Sequence, residues 1–296
     1  IDAETLLSEF RKTQATPVPA PAERVEEVFG YTDFGTPGTI VEDKVIHDLG
    51  IRTIRFANGV RLNLKQTKFE DNRIRYAVRI DGGGLVFGKE HAPLWRLMSA
   101  AYVSGGLTKH DIEDLKSLMA GTTVNPAFTV GDDYFGGYGI VAPDDLERQM
   151  QVMAAYTTDP GYRENAIRLY RRPLPELFAR LHATPGAALS TEASRMMNDN
   201  DPRFSLPPLE TLMATDYKQL KSALGDALLK NAMEIGLVGD FDPDKAIAAV
   251  ASTFGALPER KTEAQPFADQ RIAPLSAKTG TFDIKHKGEP NQLGWR

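Results

Sequence analysis

The stretch IRTIRFANGVRLNLKQT, residues 51–67, decides the fold class. Two short runs alternate apolar and polar residues, with Ala57-Asn58-Gly59 between them. Asn and Gly tolerate the positive φ of a tight turn, so this pair between two alternating runs signals an antiparallel hairpin. A third run, RIRYAVRI (73–80), follows and places Ile74, Tyr76, Val78 and Ile80 on one face.

Downstream of these strands a glycine loop leads into the apolar helix APLWRLMSAAYV (92–103). Pro93 lies in its first turn, where a helix tolerates proline, and Gly105-Gly106 ends it. TKHDIEDLKSLMAG (108–121) reads as a helix with Thr108 as N-cap, a stripe of Ile112, Leu115, Leu118 and Met119, and Gly121 as C-cap. TVNPAFTV and DYFGGYGIV read as two strands joined at Gly131-Asp132. A helix opens at Asp144-Asp145 and runs to Tyr156, and a longer helical region spans 163–182, bent by Pro173 and Pro175. Beyond Pro207, a helix over 217–230 leads to the strand AMEIGLVGD (232–240), the helix PDKAIAAVASTFG (243–255) and a closing strand, GTFDIKH (280–286).

Upstream, the first 14 residues read as a helix with Leu6, Leu7 and Phe10 on one face. TPVPAPAE (16–23) is a stiff Pro/Ala linker, and YTDFGTPGTI (31–40) carries turn signals. The element order is not the βαβα alternation of a parallel sheet. It predicts an α+β fold, a mainly antiparallel sheet with helices packed on one face. The expected division is a helix tail and inter-domain linker over 1–48 and one domain over 49–296.

The composition narrows the function classes. At 296 residues the chain has room for two domains, or for one large domain with tails. Its net charge of −5, without a dominant Lys/Arg cluster, argues against a nucleic-acid partner. The most basic run, RLYRRPLPELFAR (168–180), reads as a solvated helix face. There is no cysteine, which excludes disulfides, thiolate zinc sites and a Cys nucleophile. No apolar run reaches the roughly 18 residues of a membrane span. The chain opens without Met on what looks like the end of a helix, as expected of a segment from a longer polypeptide.

GGLVFGKEH (83–91) nearly spells two catalytic motifs. Gly83, Gly88 and Lys89 fit the phosphate loop G-x-x-x-x-G-K-[ST], but Glu90 replaces the hydroxyl that ligates Mg²⁺ and sets a carboxylate against phosphate. Glu90 and His91 fit the end of H-x-x-E-H, but Phe87 replaces the first His, and one His cannot make that helical pair. The remaining histidines, His47, His110, His182 and His286, lack a ligand spacing. NDNDP (198–202) begins like a calcium loop but lacks its glycine and closing Glu, so it reads as a helix-ending turn. YFGGYG (134–139) reads as strand glycines that admit a close backbone approach. No catalytic, metal or cofactor-binding residue is assigned. The 83–89 loop remains as an alternative nucleotide site.

Several segments together resemble the pitrilysin/insulinase-like zinc peptidases, the H-x-x-E-H or inverzincin group. They are FANGVRLNLKQT (56–67), RIDGGG (79–84), SGGLTKHDIEDLKSLMAGTTVNPAF (104–128), GGYGIVAPDDLERQMQVM (136–153) and, most specifically, LVGDFDPDKAIAAVASTFGALPER (237–260). The resemblance covers one repeat, roughly residues 49 to 296, and implies a mitochondrial-processing-peptidase-like repeat fold. It implies a repeat that lacks H-x-x-E-H, from a long bacterial member, with zinc in the parent's catalytic repeat and none in this chain. The implied parent is a zinc-dependent metalloendopeptidase of which this chain alone is inactive. Its implied partners are that catalytic repeat and peptide or unfolded protein substrate, and its implied compartment is the periplasm. An assembly subunit of the same fold without proteolytic role is the other expectation that the resemblance leaves open.

Overall fold

The computed structural model describes residues 2–15, 28–181 and 183–271. The linker 16–23, His182, His286 and the closing strand 280–286 lie outside the described residues. Seven strands form one sheet: β1 (Ile40–Ile46), β2 (Ile51–Phe56), β3 (Arg61–Gln66), β4 (Ile74–Asp81), β5 (Thr129–Val130), β6 (Tyr134–Val141) and β7 (Met233–Gly239), in the order β1-β2-β3-β7-β4-β6-β5. The hairpin forms as its alternation predicts, with Thr53 opposite Asn63 and Ile54 opposite Leu62. The third run is not its neighbour. β7 inserts between β3 and β4, parallel to β3 and antiparallel to β4. All other pairings are antiparallel, so the sheet is mixed and mainly antiparallel.

Gly239 shows why the insertion is possible. The β3–β4 connection crosses the end of β7, where Thr67 donates to the Gly239 carbonyl and Asp240 donates to the Arg73 carbonyl. Gly239 has φ +146, and a Cβ there would lie 2.1 Å from the Arg73 oxygen. Only glycine permits that approach.

Thirteen α-helices accompany the sheet among the described residues. α1 (Ala3–Ala15) is the N-terminal helix, and α2 (Gly84–Phe87) and α3 (Ala92–Ala101) follow β4. α4 (Ile112–Leu118) precedes β5, and α5 (Leu146–Thr158) follows β6. Then come α6 (Glu164–Arg171), α7 (Leu174–Leu181), α8 (Pro185–Met197), α9 (Leu209–Ala214), α10 (Tyr217–Leu224) and α11 (Ala227–Lys230). α12 (Pro243–Ser252) follows β7, and α13 (Ala268–Arg271) closes the described chain.

The core lies on one side of the sheet. Ile54, Leu62, Ile74, Val78, Ile80, Ile235 and Leu237 point to it, and α3, α5 and α12 cover them with Leu97, Met98, Met150, Met153, Ala246 and Val250. Each fully buried Ile or Leu contributes roughly 1.5–3 kcal/mol of transfer free energy. α5 is buried nearly all round, as a central helix must be. Its one fully buried amide, Gln149, is satisfied by both the N–H and the carbonyl of Asn125. No described helix is long and apolar enough to cross a membrane.

Several local expectations change. Asp111, not Thr108, caps α4: its carboxylate accepts from Glu113 and Asp114, and Asp114 reaches back to the Asp111 amide. The Thr108 hydroxyl instead donates to Asp159 at 2.7 Å. Only Thr129 and Val130 of TVNPAFTV form a strand. The region 163–182 is two helices, because Pro173 cannot donate the bond that would join them. β1 joins the sheet from inside the stretch read as tail and linker, and Phe29 and Tyr31 are buried in the same core. Turn residues on both sides of β1, and exposure on both its faces, hide its strand period.

Candidate functional site

The glycine loop and its helix come first, because both near-motifs fall there. α2 is one turn long, and the loop's amides are already bonded: Gly84 to the Gly131 carbonyl, Leu85 to Asp132, Val86 to Gly83 and Gly88 to Gly84. A phosphate cradle needs such amides free and convergent. Lys89 reaches not an anion site but Asp201, at 3.2 Å. Glu90 and His91 are exposed, and His91 is the N-cap residue of α3. The helix proper therefore starts after both. Its buried face is Leu94, Leu97, Met98 and Ala101, and it carries no His and no acid.

The other motifs resolve into structure. NDNDP ends α8: Asn198 is the C-cap, and Asp199 and Asn200 take positive φ. Asp201 turns inward, with a side chain only 3% exposed, against Arg203 at 7%. Hydrogen bonds from the Arg203 guanidinium, with further ones from its amide and from Lys89, hold the Asp201 carboxyl at about 2 against the opposing effect of burial. Arg203 also donates to the Gln270 carbonyl, so this pair ties α8, the glycine loop and α13 together. Sequence reasoning missed it because residues 89, 201 and 270 meet only in the folded chain.

YFGGYG is the body of β6. A Cβ on Gly136, at φ +138, would fall 1.9 Å from the Val78 carbonyl oxygen, so the glycine serves close packing. His110 is buried, accepts from the Gly30 amide at 2.8 Å and stacks on Phe29. His47 sits in an exposed 3₁₀ turn. Among the described residues no three His, Asp or Glu side chains converge on a point that could hold a metal ion. The described residues do not fit a catalytic zinc ion. The basic run 168–180 is split between α6 and α7, and Arg171 donates to the Thr215 carbonyl.

Two clefts flank the start of α3. One, about 610 Å³, lies between Glu90–Leu94 and α9–α10; the other, about 540 Å³, lies between Lys89–Pro93 and α7–α8. A cavity of about 220 Å³ opens at one end of the opposite sheet face, beside Arg61, Arg79, Asp133 and Glu234 and next to Arg271 of α13. On that face Arg79 lies over the Tyr134 ring at 4.0 Å and pairs with Asp133 at 3.1 Å.

This architecture has counterparts among solved structures. The periplasmic protease PqqL from Escherichia coli aligns with 95% of this chain over 31% of its own length, with TM-score 0.71 and 14% identity. A peptidase M16 inactive domain from Pseudomonas fluorescens aligns with 73% of this chain and 53% of its own, with TM-score 0.59 and 18% identity.

The fold is that of a pitrilysin-like peptidase repeat.

In sequence, the chloroplastic stromal processing peptidase of Pisum sativum is 24% identical over an alignment of 234 residues that covers 73% of this chain and 18% of that protein. The chain thus spans less than a fifth of that relative and under a third of PqqL. No protein-family model matches the chain. α3 follows β4, the first strand after the β2–β3 hairpin, across the glycine loop and α2.

Proposed function

We propose that this chain is a non-catalytic repeat of a zinc metalloendopeptidase. It forms part of the wall of a peptide-binding chamber and supports the catalytic repeat of the same polypeptide, which holds the zinc ion. What supports this reading is α3, in the strand-loop-helix setting where the resemblance puts the motif: its buried face is apolar, it has no metal-ligating side chain, and Glu90 and His91 stand outside it. The likeness to PqqL and to an inactive peptidase domain supports it. The substrate of the whole enzyme is peptide or unfolded protein, held by backbone hydrogen bonds and apolar contacts along an extended segment.

The test is metal analysis of the purified 296-residue chain together with cleavage of a fluorogenic peptide library. The expected result is no stoichiometric zinc and no cleavage. Stoichiometric zinc with zinc-dependent cleavage overturns the reading.

A further inference from the structure

β1 is an outer strand of the sheet, bonded to β2 on one side. Along its other side every second residue turns an N–H and a C=O outward, with no strand to receive them among the described residues. All of β1 but Glu42 is exposed. Ile40, Val41, Val45 and Ile46 are between 39% and 51% exposed. An open edge that carries apolar side chains is a template for another strand.

The strand that fits this edge is β1 itself. IVEDKVI has two apolar residues, an acid, Asp43, a base and two apolar residues, so its reversed copy complements it. Laid antiparallel on a second copy about Asp43, Glu42 lies opposite Lys44 of the second copy, twice by symmetry. Ile40 and Val41 then lie opposite Ile46 and Val45 of the second copy. Glu42 and Lys44 project from the same face, since they pair with Arg55 and Thr53 two residues apart on β2. Within one copy Glu42 is paired with Lys44 and Arg55, so across the axis the lysines exchange carboxylates without losing a partner.

The residue on the axis is Asp43, which meets its own copy. Its charge is already neutralised, because the Arg52 guanidinium donates to both its oxygens at 2.9 and 2.7 Å. The bulge between Ile40 and Glu42 lies towards one end of the strand, outside the central Glu42–Lys44 segment. The register is also selected by charge. Sliding the copies by two residues sets Glu42 against Glu42 in one direction and Lys44 against Lys44 in the other, and like charges directly opposite are destabilising.

We propose that β1 is a two-fold assembly edge, on which a second copy of this chain adds its own β1 antiparallel and continues the sheet across the axis. The axis is perpendicular to the sheet, so the helices of both copies stay on one side. The proposal goes beyond the non-catalytic reading and does not rest on it. A contact about 23 Å long, from seven residues at about 3.3 Å each, and one strand wide is smaller than the roughly 1,600 Å² of a standard interface. Association is therefore concentration-dependent.

Sedimentation velocity on the 296-residue chain, from about 1 to about 200 µM, reads a shift from monomer to dimer. Lys44→Glu opposes two carboxylates and weakens dimerisation at least about tenfold, and Glu42→Lys does the same with two ammonium groups. Mixing the two variants restores association, because each then meets unlike charges at both positions. Circular dichroism and melting curves check that both are folded. A second readout uses the absence of cysteine from the chain. Asp43→Cys, oxidised with diamide, gives a disulfide-linked dimer at least about tenfold faster than Val45→Cys, since only residue 43 lies within disulfide reach of its own copy. A single monomeric species up to about 200 µM, undiminished dimerisation of Lys44→Glu, no association on mixing, or cross-linking at 45 as fast as at 43 overturns the proposal. None of these results touches the non-catalytic reading, which falls only to zinc with cleavage.

Discussion

Replacing Asp201 by Asn removes a charge from the most buried ion pair described in the chain. The substitution keeps the shape of the side chain and leaves the Arg203 guanidinium, 7% exposed, without its counter-ion. A carboxyl held at about 2 instead of 3.8 stabilises the fold at neutral pH by roughly 2–3 kcal/mol, since each pH unit of displacement is worth about 1.4 kcal/mol. Orphaning a buried partner adds to this, so a loss of roughly 2–4 kcal/mol is expected at pH 7. For a folded unit of this size that lowers Tm by roughly 5–15 °C. The sign in pH follows from the depressed acid. Its contribution is fully present above the unfolded value near 4 and disappears as pH falls through 2. Urea denaturation of both proteins, repeated from pH 7 to pH 2, therefore shows a gap at pH 7 that narrows below pH 4. A gap under about 0.5 kcal/mol at pH 7, or one that persists undiminished at pH 2, refutes the reasoning.

Three further outcomes are expected. Gly136→Ala drives a methyl against the Val78 oxygen at a φ that alanine rarely adopts, and melting curves record a loss of roughly 2–5 kcal/mol; a loss under about 1 kcal/mol contradicts the packing described for β6. Asp111→Ala removes the cap and capping box of α4 at a cost of about 1 kcal/mol in chemical denaturation, and an unchanged midpoint denies the cap that role. Titration calorimetry with ATP and Mg²⁺ gives no binding heat, because the amides of Gly84, Leu85, Val86 and Gly88 are already bonded; heat that Lys89→Ala abolishes would restore the nucleotide site.

Around the candidate site the sequence made the local register legible. The spacing around Phe87, Glu90 and His91 shows a broken motif, and Pro93 places the start of α3 after it; the structure bears out that register. The clefts beside α3 were not legible. Their walls come from α7 to α10, more than eighty residues further along the chain, and no local spacing encodes that approach.

Local chemistry explains what the sequence determined by itself. The Asn-Gly turn and its flanking alternation specify the β2–β3 hairpin, because turn geometry and a period of two act within a few residues. The same holds for the strand and helix of 232–255 and for the break at Pro173. Only the tertiary structure decided that β7 separates β3 from β4 and that Asp201 meets Lys89 and Arg203. Each of these joins residues whose meeting depends on long-range closure. A run of alternating residues states which face is apolar, but not which strand it lies beside. In this chain that choice was made by Gly239, where the absence of a side chain lets a strand from more than 150 residues later pass beneath the β3–β4 connection.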